Sequence, residues 1–97
     1  MLALQIMSAL SQPTRYETFR RLVDALPEGM AAGDIATAIG TTANTMSAHL
    51  AIMSRAGLVS SKKIGRTVVY TAETAPAEGL SDFLSRACER GKRIRQI

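Results

Sequence analysis

The sequence predicts one mainly α domain carrying a β-hairpin, in the order α-α-α-α-β-β-α. Three observations predict it. Apolar residues recur at helical spacing through five segments, a glycine at position 40 separates the third from the fourth, and two β-prone runs flank a glycine-containing turn before the fifth. The stretch 33–57 reads as a helix-turn-helix and 58–72 as a basic hairpin, or wing, attached directly to it. A winged helix-turn-helix spanning 1–97 as a single domain is the expected architecture, at a length near the limit where burial within one chain gives thin stability.

Taken in order, residues 1–10 supply the first helix. Leu2, Ile6, Met7 and Leu10 make it apolar enough for so short an element to need a partner surface. Ser11-Gln12-Pro13-Thr14-Arg15 reads as the start of the second, because proline suits the first helical position. Tyr16, Phe19, Leu22, Val23 and Leu26 form its expected buried stripe, with Arg15, Arg20 and Arg21 more exposed, and Pro27-Glu28-Gly29 closes it. Met30 to Gly33 is expected to be a plain connection into a short helix from Asp34 to Ile39.

Gly40 permits a sharp turn, and Thr41 and Thr42 offer hydroxyl caps to the next helix. Met46, Leu50 and Met53 fall at i, i+4 and i+7 and point inward, leaving Asn44, Thr45, Ser47, Ala48 and Ala51 outside. That outer face is short, uncharged and polar at its start, suited to entering a major groove. Ala56-Gly57 ends the helix, with glycine at the position after the cap. Leu58 to Lys63 and Thr67 to Thr71 then flank Ile64-Gly65-Arg66 as two strands and a turn.

Ala75-Pro76 opens a last helix, expected over 75–90, on which Leu80, Phe83, Leu84, Ala87 and Cys88 share a stripe. The basic run Arg90 to Arg95 is expected to fray. The first and last helices are expected to pair with their copies in a symmetric homodimer.

The net charge of +4 is localised. Between Ile35 and Ala72 there is no Asp or Glu, while Arg55, Lys62, Lys63 and Arg66 contribute four positive charges; elsewhere eight basic residues balance eight acidic ones. The whole excess therefore lies on the helix-turn-helix and wing, as a surface that displaces counterions from phosphates requires. No apolar run approaches the roughly 20 residues of a membrane span. The opening MLALQIMSAL lacks the basic region and cleavage site of a signal peptide, and a single cysteine fits a reducing compartment, so a cytoplasmic location is expected. An enzyme is disfavoured, because nucleophile-base pairs, phosphate-binding glycine loops and clustered carboxylates are not evident.

With ALSQPTR at 9–15, DIATAIG at 34–40, TMSAHL at 45–50, AGLV at 56–59 and GRTVVY at 65–70, the chain resembles the ArsR/SmtB family of bacterial repressors over nearly its whole length. The resemblance implies a dimer that binds an imperfect inverted repeat in double-stranded DNA and is released by an inducer, often a metal ion. It makes Thr42 to His49 the face entering the major groove, with Asn44, Thr45 and Ser47 contacting bases or phosphates, beside Ala48. Arg66 at the wing tip would reach the minor groove or its phosphates, and Lys62 and Lys63 would hold the backbone. His49 matches a common family histidine, with a structural or phosphate-positioning role at least as well supported as base reading.

Several residues depart from the family pattern. Ala43 and Ala48 stand where Gln and Arg are frequent, and Gln12 replaces Asp before proline, a poorer cap by roughly 1 kcal/mol if nothing substitutes. Met30 to Asp34 contains no cysteine, and Ala75 to Glu89 contains no histidine, so one chain builds neither the family's thiolate site nor its zinc site. No cofactor or metal is expected, and the inducer is unknown. Two alternatives remain: a winged-helix protein-interaction module that has lost specific DNA reading, and a thiol or metalloid sensor acting through Cys88. A lone cysteine on an apolar stripe is more often a small buried hydrophobe.

Overall fold

The structure, a computed structural model, describes residues 2–95, with side chains described for 2–92. Met1, within the span expected for the first helix, lies outside the described residues. Among the described residues five helices and three short strands follow one another as α1 (Leu2–Leu10), α2 (Pro13–Asp24), β1 (Met30–Ala31), α3 (Ala32–Ile39), α4 (Ala43–Arg55), β2 (Val59–Ile64), β3 (Thr67–Ala72) and α5 (Ala75–Arg95). The expected order holds, with one strand added. Met30 and Ala31, expected as a plain connection, pair antiparallel with Tyr70 and Val69, and the sheet runs β1-β3-β2. Helix α3 consequently begins at Ala32, not Asp34.

The core lies where α1, α2, α3 and α4 meet the base of the hairpin. Ile6, Ala9, Leu22, Ile35, Ala36, Met46, Leu50, Met53, Ala56, Leu58, Val59 and Ala72 are buried together. The stripe Met46, Leu50 and Met53 faces inward as its spacing predicts. Helix α2 departs from its expected stripe. Leu22 is fully buried and Phe19 and Val23 partly so, but Tyr16 is exposed, and Leu26 is exposed in the turn that follows, because the helix ends at Asp24 and not at the expected Pro27-Glu28-Gly29. Thr18 takes an interior position instead, its hydroxyl donating to the Thr14 carbonyl at 2.8 Å, so that its buried donor is paired.

Helix ends are closed by local chemistry. Gln12 is not a missing cap: its Oε1 accepts the Arg15 N–H at 2.8 Å, reaching the third helical residue as a shorter side chain would. At α4, Thr42 alone of the two threonines caps, accepting the Thr45 N–H at 3.2 Å. The other end of α4 closes with Gly57 at φ +76°, the Gly57 N–H donating to Ser54 and the Leu58 N–H to Met53, the paired bonds of a Schellman motif.

Helix α5 continues through Arg95, so the basic run expected to fray is helical. Its apolar stripe is covered only in part within the chain: Leu80 packs against the core and Ala87 is half-buried, but the rest is open. Phe83 is 51% exposed and Leu84 44%, and on neighbouring α1 Leu2, Leu4 and Met7 are exposed as well. Cys88 is likewise exposed, contrary to the expected buried hydrophobe, because the core ends before its turn of the helix. It lines a groove of about 490 Å³ with Leu10, Ala77, Leu80 and Leu84.

Candidate nucleic-acid interface

Gly40, at φ +83°, ends α3 and turns the chain through Thr41 and Thr42 into α4. Because Met46, Leu50 and Met53 anchor one side of α4, its opposite side must face solvent. Asn44, Thr45, Ser47 and Ala48 are all exposed there, with Ala43 before them and Ala51 beyond. No acidic residue occupies the first turn, so the positive end of the helix dipole is uncompensated on this face. The Thr42 hydroxyl also donates to Thr45 Oγ1 at 2.9 Å. Thr42 is thus committed to holding the helix start, while Thr45 keeps its own O–H free to donate outward.

His49 occupies the border between the exposed face and the core. Its Nδ1 lies 3.2 Å from Nη1 of Arg15. A guanidinium only donates, so Nδ1 accepts and the ring proton resides on Nε2. Burial first, and the adjacent Arg15 charge second, push the His49 pKa below its ordinary value of 6.5. Arg15, expected among the exposed positions of α2, is instead partly buried, and its Nε–H donates to the Ala9 carbonyl at 2.8 Å. No sequence signal ties Arg15 to His49, since 34 positions separate them.

The wing closes at a two-residue turn, Gly65-Arg66, between the paired residues Ile64 and Thr67, tighter than the three-residue turn expected. Gly65 has φ +62° and Arg66 does not have a positive φ, the pattern of a II′ hairpin. Arg66 therefore stands at the tip, exposed. Lys62 pairs with Val69 and Lys63 with Val68, and successive strand residues point to opposite faces. The two lysines, both exposed, thus serve opposite sides of the hairpin rather than one patch. At its base the wing is pinned by Ser60, whose hydroxyl donates to Glu73 at 2.7 Å.

These positions combine into a helix face without charge beside a cationic hairpin, an arrangement that can neutralise phosphates around a groove while small side chains meet base edges. Among the described residues no group of three His, Cys, Asp or Glu side chains is gathered to hold a metal ion, and no helix is long and apolar enough to cross a membrane.

Residues 10–61 match the helix-turn-helix domain family. The chain is 31% identical over 81 residues to the uncharacterised HTH-type transcriptional regulator YbzH of Bacillus subtilis, covering 84% of this chain and 81% of that one. Its fold is similar to an ArsR-like transcriptional regulator from Rhodococcus, with a TM-score of 0.81, 27% identity and coverage of 98% and 88% of the two chains. It is also similar to a homodimeric winged helix-turn-helix DNA-binding domain from Mycobacterium bovis, with a TM-score of 0.71, 26% identity and coverage of 95% and 83%.

Proposed function

Since this chain belongs to the helix-turn-helix transcriptional regulators of the ArsR family, we propose that it acts as a homodimeric repressor on an inverted-repeat operator in the cytoplasm. The observation that carries the proposal is the exposed, uncharged face of α4 beside the cationic wing, within a segment free of acidic residues. Asn44, Thr45, Ser47 and Ala48 meet base edges or sugar in the major groove, Thr42 holds the helix start against the phosphates, and His49 sets the height of that face. Lys62 and Lys63 contact phosphates from the two sides of the wing. Arg66 reaches the minor groove or its walls.

The dimer forms through α1 and α5. Leu2, Leu4, Met7, Phe83 and Leu84 are exposed on these two helices, more apolar surface than solvent favours, and a relative from Mycobacterium bovis that is homodimeric supports the pairing of two copies. Binding of two chains to one promoter site excludes polymerase by occupancy alone, so repression needs no further activity of the chain. The test is a footprint across the genome from which the chain comes. Protected inverted repeats overlapping promoters support the proposal, and affinity no better than for random duplex refutes it.

A further inference from the structure

We infer that Arg15 is a positioning residue that sets the angle of the DNA-reading helix relative to the dimer-forming helix, an inference resting on the regulator reading above. Helix α4 is held in the core by Met46, Leu50 and Met53, and apolar packing of this kind is non-directional. Among the described residues only two side-chain contacts of a polar donor tie α4 to another element. One is weak, the Thr18 hydroxyl at 4.0 Å from the Met46 sulfur, and that hydroxyl already donates to Thr14. The other is Arg15 to His49.

Arg15 is anchored on its other side to α1. Its Nε–H donates to Ala9, and Nη2 lies at 3.5 Å from the Ser8 carbonyl, both in the last turn of a helix that has no basic residue of its own there. A cation at this end complements the helix dipole and the carbonyls left without intrahelical partners. The rigid planar fork of the guanidinium thus grips the end of α1 with one edge and the imidazole of α4 with the other. Because α1 carries Leu4 and Met7 on the proposed dimer face, this fork relates the position of the partner subunit to the rotation of the reading helix. His49 lies four residues after Thr45, on the same side of the helix, so the tether acts one turn from the reading face.

The experiment uses the duplex that the wild-type chain enriches from a randomised pool, a half-site version of it, and versions with one or two base pairs inserted between half-sites. Arg15→Ala and His49→Leu should each lower affinity for the full site about tenfold, the loss of one charged hydrogen bond, and the double variant should lose no more than either alone. For Arg15→Ala, half-site affinity and the sedimentation of the free dimer should stay close to wild type, while discrimination against the spaced duplexes relaxes. His49→Asn, which restores an acceptor near the Nδ1 position, should recover most of the loss. Losses that multiply in the double variant, or half-site and full-site affinities falling together with the thermal midpoint, would overturn the inference. Direct DNA contact by His49 would show as failure of His49→Asn to rescue, and this also overturns it. If the wild-type chain enriches no inverted repeat, the regulator reading fails and takes this inference with it, a result distinct from all the others.

Discussion

The amide of Gln12 stands where a short carboxylate or hydroxyl is usual, yet it closes the second helix at 2.8 Å from the Arg15 N–H. Gln12→Ala should therefore lower stability by roughly 1 kcal/mol, read as a thermal midpoint lower by several degrees, and an unchanged midpoint would show the cap to be idle. His49 adds a pH dependence. Its pKa is depressed in the folded chain, by burial and then by Arg15, so its contribution to stability is complete above about 6.5 and is lost as pH falls through the lower, folded value. Denaturation midpoints measured from neutral to mildly acid pH should fall more steeply for wild type than for His49→Asn. Parallel curves would contradict the assignment of a neutral, accepting imidazole. On the DNA side, Arg66→Ala should weaken binding to every sequence and reduce the slope of log affinity against log salt by about one, whereas Asn44→Ala should change preference among sequences with little change in that slope.

Two glycines of similar backbone conformation separate the roles of turns between elements. Gly29 has φ +79°, and a Cβ there would sit 2.5 Å from the Tyr70 carbonyl and 2.8 Å from the Thr71 hydroxyl, against the strand that β1 joins. Gly40 has φ +83° with open space around it. Gly29→Ala should cost roughly 2–4 kcal/mol, strain plus backbone collision, and Gly40→Ala only about 1 kcal/mol from the left-handed conformation. Comparable losses from chemical denaturation would refute the close approach. The same contrast explains what the sequence discloses. The inward stripe of α4, the glycine turn, the terminating Gly57 and the basic hairpin are legible because each is written within a few adjacent residues by period or by turn chemistry. Strand β1 is not, since two residues have no period and pair only because β3 offers them an edge. Tyr16 lies on the apolar side of α2 by spacing, but spacing gives a direction and not how far neighbouring elements extend to cover it, and Leu26 falls in the turn past the end of the helix at Asp24. The tether from Arg15 to His49 joins residues far apart in the chain and leaves no local pattern at all.

The molecule as a whole is longer than its chain length requires. Its radius of gyration is 15.9 Å and its extents are 60 × 23 × 22 Å, where a compact chain of this size would have a radius of about 13 Å. The excess arises where α5 runs past the core with Phe83 and Leu84 exposed, the surface that the proposed second copy would cover. Leu84→Glu should give a monomer by sedimentation and lower operator affinity about a hundredfold, because each half-site then binds without the other's effective concentration. A dimer that survives this change would place the interface elsewhere. The central claim, that two copies present α4 to one face of a duplex, is tested most directly by sequencing the duplexes that the purified chain selects from a randomised pool and counting the chains bound to each. The account predicts two chains on an inverted repeat whose half-site centres are about 34 Å, one helical turn, apart. Enrichment of a single half-site by one chain, or no enrichment at all, would contradict it.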